Sequence, residues 1–339
     1  MDIQGAIRQV VDGRDLGFAE MHEVMVSVME GEATPAQIAG LLVALRMKGE
    51  TIDEIAAAAT VMREFAVSVD VGLRPLVDTC GTGGDGSGTF NISTAAAFVT
   101  AAAGAHIAKH GNRAASGKSG SADVLEAAGA RIDLDAAQVA ACVRDVGVGF
   151  MFAPAHHGAT RHAAGPRREL GTRTLFNVLG PLTNPANADR QLMGVFARSW
   201  VPRAAEVLKR LGVERALVVW AEDGMDEISI GSVTHAAELR DDAIREYVID
   251  PREFGMTLAP LATLAAADAQ ASLALIAQVF DDVPGPARDI VCLNAGAAIY
   301  LAGLADTLAA GVARAGEVIS AGRARETFAN FIACTRAFD

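Results

Sequence analysis

Gly81-Thr82-Gly83-Gly84-Asp85-Gly86-Ser87-Gly88-Thr89 sets five glycines and no apolar side chain in nine residues. Glycines let successive backbone N–H groups turn toward one anion. Asn91-Ile92-Ser93-Thr94 follows and opens a helix, whose free N–H groups and dipole favour negative charge. A glycine cluster alone is equally a surface turn, so the weight falls on its company. Lys109-His110-Gly111-Asn112-Arg113 and Ala114-Ala115-Ser116-Gly117-Lys118-Ser119-Gly120-Ser121 place three cations within ten residues. Cations among small hydroxyl residues suit charge-assisted hydrogen bonds to phosphate oxygens. Asp226-Glu227 adds adjacent carboxylates, the oxygen ligands that Mg2+ takes when it bridges to phosphates. Most acidic pairs are simply solvated, so this one gains meaning only beside phosphate sites.

Other chemistry fits less well. Gly81, Gly83 and Gly86 match GxGxxG, but the helix opens later, at about Ser93, and no acidic residue stands ~20 positions on, so a dinucleotide site is rejected. Arg167 and Arg168 each offer a planar fork for a carboxylate. His156, His157 and His162 lack cysteine or carboxylate at metal-ligand spacing and are read as structural or pocket-lining. Cys80, Cys142, Cys292 and Cys334 match no zinc or CxxC pattern and read as reduced thiols of a cytosolic protein.

The elements that must position these loops follow from pattern. Thr34-Pro35-Ala36-Gln37 and Thr51-Ile52-Asp53-Glu54 are capping boxes, and no strand pattern precedes Leu73. A small all-helical domain over 1–72 is expected, with about 168–188 folding back onto it. From Leu76 β-type runs alternate with helices: 76–80, 105–109, 148–152 and 216–220 are strand-like, while 92–104 and 135–146 are helical. That alternation predicts an α/β domain over 73–167 and 189–339 with a mostly parallel sheet. Thr234 to Leu239 and Ile244 to Ile249 flank the polar turn Arg240-Asp241-Asp242-Ala243, a hairpin that would make the sheet mixed.

Composition bounds the partners. Lys plus Arg is 29 against 41 for Asp plus Glu, a formal charge of −12 over 339 residues. Such a field repels nucleic acid and anionic membranes, so anions would bind only in a local basic pocket. No signal-peptide pattern opens the chain, and its apolar segments are too short to span a bilayer, which points to a cytoplasmic protein.

Gly81-Thr82-Gly83-Gly84-Asp85, Asn91-Ile92-Ser93-Thr94, Lys109-His110-Gly111-Asn112-Arg113, Asp226-Glu227 and the run from Arg173-Thr174-Leu175-Phe176-Asn177 to Asn184-Pro185 together resemble the anthranilate phosphoribosyltransferase family. So does Gly31-Glu32 through Thr51, and the match runs in order over nearly the whole chain. The resemblance implies a homodimer with its active site in the cleft between a helical and an α/β domain. It implies the tryptophan-pathway reaction of anthranilate with 5-phosphoribosyl 1-pyrophosphate. Carried over by position, Gly81, Gly84, Asp85, Thr89 and Asn91 to Thr94 would bind the donor. Lys109, His110, Gly111, Arg113 to Gly117 and Ser121 would hold its phosphates and ribose. Asn112 and Arg167 would contact anthranilate, and Ser93, Asp226 and Glu227 would engage magnesium; Lys109, Asn112 and Arg167 are the residues expected to carry catalysis. Two departures touch the cleft: Trp220-Ala221 stands where a His-Gly pair is common, and Gly117 where serine is frequent. A pyrimidine nucleoside phosphorylase-like enzyme is the nearest alternative, though those enzymes resemble a longer chain with other glycine loops. A non-enzymatic nucleic-acid-binding relative is the other, opposed by the −12 charge and the intact acidic pair.

Overall fold

The computed structural model describes residues 1–114 and 119–338. Its amino-terminal layer is four helices, α1 (Ile3–Val11), α2 (Phe18–Glu30), α3 (Pro35–Lys48) and α4 (Ile52–Glu64). Both capping boxes form. Thr34 Oγ1 accepts from Gln37 N–H at 3.3 Å while Gln37 Oε1 accepts from Thr34 N–H at 2.9 Å. Thr51 and Glu54 do the same at 3.2 and 2.7 Å. Glu54 is fully buried and also accepts from Leu16 N–H at 2.9 Å and Lys48 Nζ at 3.1 Å. One carboxylate thus ties three connections together, because a buried charge must spend all its acceptor capacity.

The sheet begins with β1 (Leu76–Thr79), α5 (Ile92–Ala102), β2 (His106–Gly111), α6 (Ser121–Ala127), α7 (Ala136–Val146) and β3 (Val148–Phe152). Short helices α8 (Ala153–His156), α9 (Arg161–Leu170) and α10 (Phe176–Leu182) lead to β4 (Arg190–Gly194), α11 (Trp200–Arg210), β5 (Arg215–Ala221), β6 (Thr234–Arg240) and β7 (Ala243–Ile249). Four helices close the chain: α12 (Ala269–Phe280), α13 (Pro286–Leu301), α14 (Leu308–Ser320) and α15 (Arg323–Arg336). The strand order is β3-β2-β1-β4-β5-β6-β7, parallel through β5 and antiparallel in the last two pairs. The hairpin turns on Asp241 and Asp242 at φ 51° and 60°, the left-handed pair of a tight two-residue turn. The sheet is therefore mixed, mostly parallel with one antiparallel hairpin. Strand β4 has no counterpart in the sequence reading.

Side chains alternate across the sheet, as the strand repeat of two demands. Val77, Ile107, Val148, Phe150, Leu192, Leu217 and Val219 pack with α5 and α13 to α15. Met193, Val195, Ala216 and Val218 face the other way, into a core shared with α1 to α4, α11, Ala163 and residues 175–179. Strand order reverses between β1 and β4, with β2 on one side of β1 and β4 on the other. Open α/β sheets bind ligands at the carboxyl ends of strands beside such a switch point. The loops after β1, β2 and β5 all leave from that edge.

Candidate active site

Lys109, near the end of β2, lies on the sheet face of Ile107 and points at the start of α5. It is 4% exposed. Its Nζ donates to Thr79 O at 2.5 Å and reaches Thr79 Oγ1 at 3.4 Å and Ser93 Oγ at 3.3 Å. Ser93 N–H donates to Glu227 Oε1 at 3.1 Å, and Gly83 N–H to Asp226 Oδ2 at 2.6 Å. The glycine loop, the amino end of α5, the cation and the acidic pair therefore share one cleft floor. Thr82 N–H donates to Gly194 O at 2.9 Å, fastening the loop to β4. Glycine is required at two points: a Cβ on Gly81 would lie 2.6 Å from Asp226 Oδ2, and one on Gly194 would lie 1.5 Å from Asp226 O.

Electrostatics mark the acidic pair. Asp226 and Glu227 keep some contact with solvent, yet their carboxyls are crowded by protein on most sides. Desolvation first, then the neighbouring carboxylates, raises both; Glu227 is pushed up to about 8 despite Lys109, and Asp226 rises with Asp85 as its main charged neighbour. Negative charge here is under-compensated. Thr82 Oγ1 and Thr94 Oγ1 are buried without a hydrogen-bond partner among the described residues. The Ile92 side chain is buried in the core, so only its backbone can face the cleft.

Next along β2, His110 faces the opposite way. Its ring Nδ1 lies 3.1 Å from Gly180 O at the end of α10, so that nitrogen carries the proton. Its ring centroid is 5.1 Å from that of His157. Burial holds both imidazoles neutral, His110 down to about 3 and His157 to about 4, and the Nε2 of each is unpartnered among the described residues. Arg167 is half-buried over the Phe176 ring, 5.0 Å from its centroid, with no hydrogen bond or ion pair among the described residues. Arg168 is exposed. A chain of contacts thus runs from Arg167 through Phe176 and α10 to His110.

The chain matches known proteins in sequence and in fold. Residues 73–325 fit the model of the glycosyl transferase family a/b domain, and 4–66 that of its helical bundle domain. The chain is 60% identical to an anthranilate phosphoribosyltransferase of Alkalilimnicola ehrlichii over 99% of both chains, and 58% identical to one of Thioalkalivibrio sulfidiphilus over the same shares. It belongs to the anthranilate phosphoribosyltransferase family. The crystal structure of the Thermus thermophilus enzyme superposes with a TM-score of 0.93 at 44% identity, over 98% of this chain and 99% of that one. A Saccharomyces cerevisiae structure, in complex with PRPP and Mg, shares the fold at a TM-score of 0.90 and 24% identity, over 99% of this chain and 98% of that one.

Within this family frame several expected site residues have occupied side chains. Arg113 pairs with Asp123 at 3.1 Å and with Glu126 at 2.8 Å, and these acids raise its pKa further. Its charge is largely spent on α6. Asn91 Oδ1 accepts from Ser119 Oγ at 3.0 Å and Ser272 Oγ at 2.7 Å, joining α5 to the basic loop and to α12. Thr89 is bridged to Ala265, with Ser87 Oγ 3.2 Å from its hydroxyl. Asn112 is exposed and its Oδ1 accepts from Arg113 N–H at 2.7 Å. Ser121 Oγ donates to Asn112 O at 3.3 Å, and Ala114 N–H donates to Asp123 Oδ2 at 3.1 Å. Gly111 lets Ser121 and Phe150 approach; a Cβ there would stand 2.2 Å from Ser121 Oγ. Ala115, Ser116 and Gly117, with Lys118, lie outside the described residues.

Three contributors carry no role in the sequence pattern. Asp78, fully buried on β1, accepts from His110 N–H at 3.1 Å and Asn184 Nδ2 at 2.8 Å, so it fixes the turn-off of β2. Burial raises it to about 6, against the pull of Lys109. Arg173 donates to Gly84 O and stacks over Phe196 at 4.2 Å, while Arg46 of α3 holds Thr172 Oγ1 at 2.7 Å and the Arg173 carbonyl. That relay joins the helical layer to the glycine loop. Gly194 is the third. At the departure noted above, Trp220 stacks on His235 at 5.9 Å and Ala221 is buried under the turn carrying Asp226.

Proposed function

We propose that this cleft transfers the phosphoribosyl group of PRPP to anthranilate, giving N-(5-phosphoribosyl)anthranilate and pyrophosphate in tryptophan biosynthesis. The observation that carries the reading is the convergence of the glycine loop, Lys109 and the Asp226–Glu227 pair at one switch-point edge. As C1–O breaks, negative charge grows on the departing pyrophosphate and positive charge on the ribose ring. Fixed donors aimed at the leaving group stabilise that charge where water is excluded. The amides of Gly81, Gly84, Asp85 and Thr94, with Lys109 Nζ and Ser121, would supply them.

Mg2+ fits the donor set. Two adjacent, under-compensated carboxylates and the Ser93 hydroxyl are oxygen ligands, and Mg2+ takes one or two carboxylates with substrate phosphates rather than a full protein cage. Among the described residues no group of three or more His, Cys, Asp or Glu side chains could hold a metal, which accords with a site completed by substrate. When bound, magnesium neutralises charge on the pyrophosphate. Arg167, held over a phenyl ring with no hydrogen bond or ion pair among the described residues, would take the anthranilate carboxylate, with Asn112 and the neutral His110 and His157 orienting the aromatic amine. The amine nitrogen is itself the nucleophile and needs alignment more than a strong base.

The chain is read as a helical domain over 1–72, joined by 168–188, and an α/β domain over 73–167 and 189–339. A homodimer is supported by α3, which carries apolar residues on two faces: Ile38, Leu41, Leu42 and Leu45 are buried, while Ala36, Gly40 and Met47 lie exposed, Met47 at 83%. No helix among the described residues is long and apolar enough to cross a membrane, and the pathway assigned here is a cytoplasmic one. The test is depletion of anthranilate fluorescence by the purified protein. Loss that requires both PRPP and Mg2+ is expected; no loss in their joint presence refutes the assignment.

A further inference from the structure

We propose that Cys142 and Cys334 form an oxidisable dithiol, a modification site that closes to an intrachain disulfide. Their sulfurs lie 3.3 Å apart, one on α7 and the other on α15, separated by 192 positions in sequence. Both are free cysteines. Cys142 is buried among Leu134, Val139, Ala140 and Val143, whereas Cys334 keeps access to solvent. The helix end is held in place beside it. Arg131 N–H donates to Thr335 Oγ1 at 3.1 Å, and Arg336 Nε to Gly129 O at 2.7 Å. The two thiols therefore face each other across a packed helix pair rather than meeting by chance motion. A covalent S–S bond of about 2.05 Å requires only a further ~1.2 Å of approach. Cys80 and Cys292 differ: Cys80 Sγ donates to Gly81 O at 3.6 Å, and Cys292 is buried within α13.

The chemistry needs a two-electron oxidant, here a peroxide. The half-buried Cys334 thiol attacks the peroxide, becoming a sulfenic acid and releasing one water. The Cys142 thiol then attacks that sulfur, forming S–S and releasing the second water. Two thiols and one hydrogen peroxide give one disulfide and two waters. Helix α7 runs down to Gly147 at the amino edge of β3, opposite the catalytic edge, so closing the bridge leaves the cleft geometry alone. Linking such distant positions restricts the unfolded chain, which raises thermal stability.

The test treats the full-length protein with stoichiometric hydrogen peroxide. Titratable thiols are expected to fall from four to two, with a peptide joining Cys142 to Cys334 and loss of two hydrogens in mass. Turnover stays unchanged, the apparent Tm rises by about 5–10 °C, and dithiothreitol reverses both changes. Cys334→Ser, a conservative change at a half-exposed position, abolishes the cross-link and the Tm gain. Oxidation confined to Cys80 or Cys292, over-oxidation of Cys334 without a cross-link, or an equal Tm gain in Cys334→Ser would each overturn the proposal. The wild-type peptide map decides it even if the variant folds poorly.

Discussion

Gly194→Ala should cripple the reaction while leaving the fold standing. Gly194 ends β4 directly beneath the acidic pair. The added methyl would sit 1.5 Å from the Asp226 carbonyl oxygen and 2.3 Å from its carbon. Both are backbone atoms, so no side-chain rotation relieves the clash, and Asp226 must retreat by roughly 1.5 Å to restore a permissible contact. A displacement of about 1 Å at a reacting centre costs on the order of 100-fold. A fall in kcat/KM of at least ~100-fold is expected, equivalent to about 2.7 kcal/mol of transition-state stabilisation. Steady-state kinetics across a magnesium titration would measure it, with the Tm read in parallel. Gly316→Ala on α14 is the control, since the added Cβ would find its nearest neighbour, Arg288 Nη2, at 3.7 Å; it should leave kinetics unchanged and stabilise α14 slightly. A folded Gly194→Ala protein with kcat/KM within threefold of wild type would refute the placement of Asp226.

Asp226→Asn with Glu227→Gln should weaken magnesium dependence and turnover without unfolding; unchanged metal-dependent kinetics would contradict the assignment. The same pair sets a pH signature. Its folded-state carboxyls are raised, Glu227 to about 8, so they stabilise the metal-free fold at acid pH, and that stability is lost as pH climbs from about 4 through about 8. The Tm of metal-free protein should fall over that window and the double variant should flatten the slope. Arg167→Ala should raise the anthranilate KM ~10-fold or more with little change for PRPP, whereas Arg168→Ala changes neither; an unaltered anthranilate KM in the first counts against the role. Arg173→Ala releases Gly84 and should raise the PRPP KM several-fold with kcat less affected, and equal effects on both substrates would assign Arg173 a merely structural part.

Local chemistry was legible wherever it is written into a few neighbouring residues. The Thr34, Thr51 and Asp135 caps are reciprocal side-chain and backbone bonds within four residues, so sequence displays them directly. The hairpin at Asp241-Asp242 and the strands around 107–109 and 216–220 are visible for the same reason. Strand β4 is not. Arg190-Gln191-Leu192-Met193-Gly194 has no β-branched residue, and its extended form comes from pairing with β1 and β5 on either side. Missing β4 hid the switch point and the need for Gly194. Asp78 reads as an ordinary strand residue, since its value lies in Asn184, 106 positions away. The stitching of Gly88 and Phe90 to residues 264–266 is likewise long-range. Arg113 errs in the other direction: its charge suited phosphate, but acids one turn apart on α6 claim it.

Binding of pyrophosphate in the presence of Mg2+, measured by titration calorimetry, tests most directly whether these groups converge on the leaving group. Wild-type protein should bind it at one site per chain, and Lys109→Met should weaken that binding ~10- to 100-fold, the worth of a charged hydrogen bond. Equal affinity in the two proteins, or binding indifferent to magnesium, would contradict the account.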